Sequence, residues 1–268
     1  MNDDLLNYKL TIAYDGTAYC GWQVQPNGIS IQEVIEAKLA VILRTKARLI
    51  ASGRTDTGVH ALAQVANFHA PRIPDLYRFF GSLNSLLPPD IRILAVEEVP
   101  AKFHAQHSPT GKIYHYHLHL DPVQDPFKRL YSLLVREKID LEILKESAAM
   151  FIGTHDFTSF ANEAHLGSAS RDPIRTLKRL DVIEQPGGVR LEFEGDGFLY
   201  KMVRNIVGTL LEIAAGKRNQ EELPLILAAK DRKKAGQAAP SQGLFLVKVQ
   251  YPEHYFNGSS SGMAAKDG

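Results

Sequence analysis

A carboxylate, a guanidinium and an imidazole occur within ten consecutive residues of this chain, at positions 52–61. Asp56 supplies an anionic oxygen that can act as a nucleophile or as a base. Arg54 offers a planar set of N–H donors that suits phosphate or carboxylate, and His60 adds an imidazole to the same stretch. Because loops between strands often carry function, this stretch is the first candidate for a catalytic site.

The segments on either side predict that the stretch is a loop. Residues 46–51 and 64–69 both have the pattern of short strands. Gly53 and Gly58 permit positive φ on both sides of Asp56, so the backbone can turn back and leave the carboxylate projecting. A simpler interpretation is that Asp56 only caps its own turn, because Asp beside Thr and Gly commonly does so.

The active-site triplet of the aspartic proteases also occurs here, as Asp56-Thr57-Gly58. Those enzymes need two carboxylates that share a proton, and this chain has one Asp-Thr-Gly sequence. Arg54 and Thr55 stand where such a protease has apolar strand residues. A homodimer could supply a second Asp, and proteolysis at acid pH would then be expected.

The composition is that of an ordinary globular protein. The 268 residues are 44% hydrophobic and 23% charged. Cys20 is the only cysteine, which excludes an intrachain disulfide and points to a reducing compartment. Residues 1–4 lack the basic and apolar regions of a signal peptide, and Glu212 interrupts the most apolar helix. We therefore expect a cytoplasmic protein that does not enter a membrane.

The net charge of +1 means that any RNA contact must come from a local group of basic residues. Three groups could supply it, and each alone is typical of a solvated surface. They are Arg44 with Lys46 and Arg48, Arg171 with Arg175, and Lys230 with Arg232, Lys233 and Lys234.

The periodicity of the apolar residues predicts a mixture of strands and helices. Ser30 and Glu33 have the form of a capping box at the start of the first helix. Residues 256–268 are rich in Gly and Ser and are predicted to be disordered. The predicted elements are strands at 8–14, 46–51, 64–69, 91–99, 111–120, 174–183, 189–193 and 244–251, and helices at 31–43, 76–87 and 198–215.

Three histidines, His115, His117 and His119, share one face of the predicted strand 111–120. At about 3.3 Å per residue the outer two lie roughly 13 Å apart, so one zinc ion could bind adjacent members but not all three. An exposed polar face explains the pattern better. The opposite face carries aromatic residues such as Tyr114, which the periodicity alone assigns to the core.

Arg204 lies in the middle of the predicted helix 198–215, whose apolar residues cover most of its circumference. A guanidinium near a core is costly unless it finds an anion. Glu212 is one candidate partner, but eight residues are more than two helical turns. The sequence therefore predicts a carboxylate partner for Arg204 without identifying it.

Several short segments resemble, in order, the tRNA pseudouridine synthase A family. Residues 53–60 read Gly-Arg-Thr-Asp-Thr-Gly-Val-His, which is the form of that family's catalytic loop. The matching segments span residues 8 to about 251, and their order makes the resemblance specific. The other segments are Tyr14-Asp15-Gly16, Gly21-Trp22-Gln23 with Gln25, Phe103-His104-Ala105, Tyr114 and Tyr116, Gly153 with His155-Asp156-Phe157, Phe198-Leu199, Met202-Val203-Arg204-Asn205, and Gly243-Leu244 with Leu246.

This resemblance implies an α+β fold of two similar αβ halves, with mainly antiparallel sheets flanked by helices and an active-site cleft between the halves. We expect residues 1–106 to form an N-terminal αβ domain with the catalytic loop, and residues 107–255 to form a C-terminal αβ domain. The resemblance also implies a tRNA pseudouridine synthase, an isomerase that acts as a homodimer on uridines 38, 39 and 40 of the tRNA anticodon stem-loop. Such an enzyme needs neither a cofactor nor a metal.

The resemblance also gives each candidate residue a role. Asp56 would be the catalytic carboxylate, either as a nucleophile or as a base that promotes a glycal-like intermediate, and Arg204 would keep it ionised. Tyr114 would stack on the uracil and assist removal of the C5 proton. Arg54 would support the flipped nucleotide and contact phosphate, and His60 would help to bind the substrate.

One alternative of another class stays open, a non-catalytic RNA-binding protein with the same architecture. In that protein Asp56 and Arg204 would only form a structural pair. The resemblance is also incomplete near Tyr114, because Ile113 follows Lys112 where many family members have two basic residues. One phosphate contact of the family is therefore not expected here.

Overall fold

The computed structural model describes residues 5–162, 172–256 and 262–264, and the chain divides into two compact units. Unit 1 comprises Met1–Thr110 and Leu246–Gly268, and unit 2 comprises Gly111–Phe245. The expected domains, 1–106 and 107–255, differ from these units chiefly at the C-terminus.

The segment 246–256 belongs to unit 1, where the side chains of Tyr251 and Tyr255 pack. The Tyr251 hydroxyl donates a hydrogen bond to the Ala105 carbonyl at 2.8 Å. The rings of Phe103 and Tyr251 lie 5.0 Å apart, and Tyr255 packs edge-on against Phe103 at 5.4 Å. The periodicity of a single strand carries no information about such a return to the first half of the chain.

Unit 1 is built on an antiparallel sheet whose middle strand is β1 (Leu6–Tyr14). β1 pairs with β3 (His60–Ala70) on one side and with β4 (Ile91–Val99) on the other, and β2 (Ile50–Ala51) pairs with β3. The predicted alternation along β1 is confirmed, since Tyr8, Leu10, Ile12 and Tyr14 are all buried. The elements of unit 1 before residue 110 are β1 (Leu6–Tyr14), α1 (Ile31–Leu43), β2 (Ile50–Ala51), β3 (His60–Ala70), α2 (Leu76–Leu86) and β4 (Ile91–Val99).

Local sequence signals fix both helices of unit 1. The Ser30 side chain accepts from the Glu33 amide at the start of α1, as the capping box predicts. α1 ends at Leu43, and the residue that follows it, Arg44, has a left-handed φ of 54°. Asp75 caps α2 by accepting from the Arg78 amide, and α2 ends just before Pro88, which cannot continue a helix.

In unit 2 antiparallel strands pair in the order β5 (Gly111–His119), β9 (Gly188–Gly195), β8 (Ile174–Gln185) and β7 (Gly153–Asp156). β6 (Leu133–Leu134) pairs with β5 in parallel. Together the two units confirm the predicted α+β class and the mainly antiparallel pairing. The elements from residue 111 onward are β5 (Gly111–His119), β6 (Leu133–Leu134), α3 (Leu141–Ala149), β7 (Gly153–Asp156), β8 (Ile174–Gln185), β9 (Gly188–Gly195), α4 (Met202–Ala214), α5 (Glu222–Ala229), β10 (Leu244–Gln250) and β11 (Gly262–Ala264).

Some element boundaries differ from the prediction. α4 begins at Met202 and not at residue 198, because Lys201 takes a φ of 59° that breaks the helix. β2 covers only two residues of the predicted strand 46–51. Within the predicted disordered tail, β11 pairs with β4, so that prediction is wrong for these three residues. Residues 257–261 and 265–268 lie outside the described residues.

The histidine face of β5 is more covered than predicted. Tyr114, Tyr116 and Leu118 are buried on the opposite face, as expected. His115 lies 3.7 Å from a Glu192 carboxylate oxygen. Burial lowers the pKa of His117 to about 4, and the neighbouring charges of His115 and Arg190 add to that shift.

The described ranges contain neither a membrane-spanning helix nor a cluster of metal-ligating side chains. No helix there is long and apolar enough to cross a membrane. No group of three or more His, Cys, Asp or Glu side chains in those ranges could hold a metal ion.

Candidate active site

The loop between β2 and β3 is tied to the strand that follows it. The Ser52 amide donates to the Val65 carbonyl at 2.8 Å, and the Ser52 hydroxyl donates to Gln64 Oε1 at 2.6 Å. Gln64 Nε2 donates in turn to the Gly53 carbonyl at 2.9 Å. Since Ser52 and Gln64 are buried, these bonds hold the first residues of the loop in one conformation.

The middle of the loop is held from β1 and from the segment after it. The Trp22 amide donates to the Thr55 carbonyl at 3.0 Å. The Tyr14 hydroxyl lies 2.8 Å from Thr55 Oγ1, and burial raises the pKa of Tyr14 well above its ordinary value. Thr55, the residue before Asp56, is therefore held at both its backbone and its side chain.

Asp56 begins a tight turn that Gly58 allows. The Val59 amide donates to the Asp56 carbonyl at 3.1 Å, and Gly58 has φ of 75°. Gly53 does not take a positive φ, so the expectation of a left-handed residue on both sides of Asp56 is wrong for Gly53. The Asp56 side chain is half-buried, and Arg54 is exposed.

Two glycines of the segment between β1 and α1 allow the backbone of that segment to pass close to the turn at Asp56. A Cβ atom at Gly21 would lie 2.6 Å from the Thr55 carbonyl oxygen, and Gly21 also has φ of 82°. A Cβ atom at Gly16 would lie 2.1 Å from the Val59 carbonyl oxygen. Both positions therefore require glycine.

His60 is buried beneath the turn and faces the segment after β1. Its side chain is 1% exposed, and its Nδ1 lies 3.1 Å from the Gly16 amide nitrogen and 3.1 Å from Asp15 Oδ1. A neutral ring accepts from Gly16 at this nitrogen, whereas a protonated ring donates to Asp15. In either state His60 holds residues 15 and 16 against the loop.

Tyr114 and Arg204 both lie in unit 2. Tyr114 is 9% exposed, and its ring packs edge-on against Phe198 at 5.0 Å. On the same strand, burial and the nearby charge of Arg175 lower the pKa of Lys112 to about 8. A half-buried cation and an aromatic ring thus stand two residues apart on β5.

Arg204 is half-buried on α4. Its Nε donates to the Ala239 carbonyl at 2.7 Å, and the Ala239 amide donates to the Arg204 carbonyl at 2.9 Å. Glu212, the helical partner considered from the sequence, instead accepts from Arg218 at 3.1 Å. Arg204 also lies close enough to Tyr116 for its charge to lower the pKa of that phenol, although burial raises the pKa more.

The candidate basic groups differ in exposure. Arg44, Lys46 and Arg48 are all exposed. Arg232 turns inward and donates to Asn205 Oδ1 at 2.8 Å. The rest of its group, Lys230, Lys233 and Lys234, is exposed, and Lys230 forms an ion pair with Asp156 at 2.9 Å. Arg171 lies outside the described residues.

The residues that support the candidate site were not predicted from the sequence. The main ones are Gln64 and Ala239. The hydrogen bond between the hydroxyls of Tyr14 and Thr55 was not predicted either. Gln64 had a signal, because it is a polar residue in a predicted strand that is otherwise buried. Ala239 had none, since its role depends on a carbonyl that any residue would supply.

Comparison with known proteins identifies the family of this chain. The model of a family described as tRNA pseudouridine synthase matches residues 10–108 and 147–252. A "tRNA pseudouridine synthase A 1" of Protochlamydia amoebophila is 60% identical over 245 residues, which cover 91% of this chain and 96% of that protein. The "tRNA pseudouridine synthase A" of Chlamydia muridarum is 50% identical, with 92% of each chain covered. That of Geobacter sp. is 41% identical, with 92% and 99% covered.

One solved structure, described as a Cbf5-Nop10-Gar1 complex, superposes with a TM-score of 0.38 at 16% identity. It covers 89% of this chain and 48% of that chain, and the likeness is too low to bear on the fold. The sequence matches are decisive by themselves. The chain belongs to the tRNA pseudouridine synthase A family, whose members are isomerases of tRNA uridines.

Proposed function

We propose that this enzyme converts uridines 38, 39 and 40 of the tRNA anticodon stem-loop into pseudouridine, with Asp56 as its catalytic carboxylate. The observation that carries the proposal is the support around that carboxylate. The Tyr14–Thr55 hydrogen bond at 2.8 Å, the Trp22 amide bond to Thr55 and the turn at Gly58 fix the backbone on both sides of Asp56. A fixed, half-buried carboxylate is suited to attack or to proton removal at a defined atom.

The reaction balances within the nucleotide. The bond from C1′ to N1 breaks, a bond from C1′ to C5 forms, C5 loses a proton and N1 gains one. No electron is supplied or removed, so the chemistry requires no cofactor. Asp56 acts either as a covalent nucleophile or as a base that leads to a glycal-like intermediate, and both routes use the same carboxylate.

The other candidate residues bind the nucleotide or assist the proton transfer. The target base must leave its stack before it can reach a half-buried carboxylate, and the exposed Arg54 supports the flipped nucleotide through a phosphate contact. Tyr114 stacks on the uracil and assists removal of the C5 proton. Its mostly buried ring, packed against Phe198, supports this role because its orientation is fixed.

We propose that Arg204 pairs with Asp56 and keeps it ionised, since an opposite charge within a few ångströms favours the carboxylate. The bond from Arg204 Nε to Ala239 supports this, because it fixes one edge of the guanidinium. His60 contributes to substrate binding by holding residues 15 and 16 against the loop. The family resemblance supports a homodimer, and its tRNA substrate and single cysteine support a cytoplasmic location.

Carbodiimide labelling tests the proposed reaction, because it marks pseudouridine at single-nucleotide resolution. The purified protein is incubated with unmodified tRNA that carries uridine at 38, 39 and 40, and with the same tRNA in which these uridines are replaced by cytidine. We expect label at the three positions only in the first tRNA. Tight tRNA binding without any label would instead support the non-catalytic RNA-binding alternative.

A further inference from the structure

A six-residue segment of unit 2, residues 235–240, lies along α4, and we name it the strap. The Gly236 amide donates to Thr209 Oγ1 at 2.8 Å. The Gln237 amide donates to Glu212 Oε1 at 3.0 Å. Two successive backbone amides are thus bound by side chains one helical turn apart on α4.

The strap lies in close contact with the helix. A Cβ atom added at Gly208 would come within 1.7 Å of the Gln237 carbonyl oxygen, so only glycine allows this approach. Thr209 is fully buried and also donates to the Asn205 carbonyl at 2.8 Å. Glu212 is held from its other oxygen by Arg218 at 3.1 Å. The side chains that bind the strap are therefore themselves fixed.

The other end of the strap reaches Arg204. The Ala239 carbonyl accepts from Arg204 Nε at 2.7 Å, and its amide donates to the Arg204 carbonyl at 2.9 Å. The next residue, Pro240, accepts from the buried Tyr116 hydroxyl at 2.6 Å. The carbonyl that meets the guanidinium is thus held between α4 and β5.

We propose that the strap is a positioning device for Arg204, in which the Ala239 carbonyl sets the plane of the guanidinium. A guanidinium donates to a carboxylate through a planar fork, so fixing its Nε edge fixes the direction of its terminal N–H groups. Thr209, Glu212 and Tyr116 are then positioning residues that act on the reaction through Arg204. The inference rests on the proposed function, because the role of Arg204 comes from it.

The chain offers a matched pair of buried hydroxyls for a test. Ser159 Oγ accepts from the Asp231 amide at 2.9 Å and donates to the Ile226 carbonyl at 2.6 Å, which is the pattern that Thr209 makes with the strap. Ser159 is equally buried but does not bind the strap. Thr209→Val and Ser159→Ala therefore remove equivalent hydrogen bonds. Thr209→Ser is a third variant, which keeps the hydroxyl.

The measurement is the single-turnover rate of pseudouridine formation at saturating tRNA, together with tRNA affinity and melting temperature. A displacement of about 1 Å in a positioned group can reduce the rate about 100-fold. We expect Thr209→Val to lose at least about tenfold in rate with its tRNA affinity unchanged. Thr209→Ser and Ser159→Ala should stay within about threefold of the unaltered protein, although Ser159→Ala should melt as early as Thr209→Val.

Tyr116→Phe serves as the second variant, because it removes the bond to Pro240 without opening a cavity, and it should show the same loss of rate. Equal rates for Thr209→Val and Ser159→Ala would overturn the inference. An equally low rate in Thr209→Ser, which keeps the hydroxyl, would also overturn it. If Thr209→Val does not fold, an unchanged rate in Tyr116→Phe overturns it. Should the unaltered protein form no pseudouridine, the proposed function fails first and the strap inference falls with it.

Discussion

The Tyr14 hydroxyl lies 2.8 Å from Thr55 Oγ1, and this bond links the central strand of unit 1 to the residue that precedes Asp56. Both side chains are buried. The rings of Tyr14 and Trp22 are 6.0 Å apart, and the Trp22 amide binds the Thr55 carbonyl. The position of the candidate catalytic carboxylate therefore depends in part on the phenol of Tyr14.

Replacing this phenol should slow the reaction without weakening tRNA binding. Tyr14→Phe leaves the Thr55 hydroxyl without its Tyr14 partner and lets the loop shift, so we expect kcat to fall about tenfold, equivalent to about 1.4 kcal/mol. KM for tRNA should change by less than about twofold. Tyr8→Phe is the control, because Tyr8 is a buried phenol on the same strand whose oxygen accepts from the Ile73 amide. Equal effects of the two variants on kcat would contradict the prediction.

A glycine-to-alanine change in α4 should destabilise the protein, although alanine has the higher helix propensity. Alanine is favoured over glycine within a helix by about 0.8–1.0 kcal/mol. Gly208→Ala should nevertheless lower the free energy of unfolding by about 1–3 kcal/mol, since the new Cβ would meet the Gln237 carbonyl. The control is Gly81→Ala in α2, where nothing lies within 4 Å of the new Cβ. Chemical denaturation measures the free energy of unfolding of both variants. A stabilised Gly208→Ala protein would be inconsistent with the close approach of residues 235–240 to α4.

Stability should rise with pH between about 4 and 6.5 because of His117. Its pKa is lowered to about 4 in the folded protein, whereas an unfolded histidine has a pKa of about 6.5. In that window the unfolded chain binds a proton that the folded chain does not, so acid favours unfolding. Burial lowers the pKa of the neighbouring His115 as well, which acts in the same direction.

Urea denaturation at several pH values checks this effect. His117→Gln should flatten the dependence of the unfolding free energy on pH between 4 and 6.5. The same change at His69, an exposed histidine of β3, should leave the slope as it was. A slope that survives His117→Gln unaltered would rule out His117 as its main source.

Arg54 should affect RNA binding and not folding. It is exposed on the loop between β2 and β3, so Arg54→Gln should change the free energy of unfolding by less than about 0.5 kcal/mol. If Arg54 contacts a phosphate, kcat/KM should fall about tenfold at low salt, and the dependence of tRNA affinity on salt should become weaker. Arg78→Gln on α2 provides a control, because this exposed arginine is remote in sequence from the loop. Salt titrations in which the two variants behave alike would refute the phosphate contact.

The sequence predicted those parts of the fold whose signals are local. β1 and α1 follow from alternation and from the cap at Ser30, and both carry most of their information within a few residues. The short helices α3 and α5 were not predicted, because helices of eight or nine residues depend on tertiary packing for their stability. The start of α4 was misjudged, since a left-handed lysine at residue 201 has no sequence signature.

The candidate site likewise has residues that the sequence indicates and residues that only the fold reveals. The candidate residues Asp56, Arg54 and Arg204 stand out in the sequence because charged groups in a Gly-rich loop or an apolar helix need an explanation. Apart from Gln64, a polar residue in a predicted strand, the residues that support them could not be predicted from the sequence. The carbonyl that binds Arg204 belongs to Ala239, 35 residues further along the chain, and only the folded backbone brings the two together.

The identity of the catalytic carboxylate is tested most directly by carbodiimide mapping of tRNA incubated with Asp56→Asn, alongside Asp121→Asn as an exposed control. Asparagine keeps the size of the side chain but removes its charge and most of its nucleophilicity, so folding and tRNA binding should persist. The account predicts no pseudouridine at positions 38, 39 and 40 with Asp56→Asn, and a normal yield with Asp121→Asn. Pseudouridine formed by Asp56→Asn at a rate near that of the unaltered protein would contradict it.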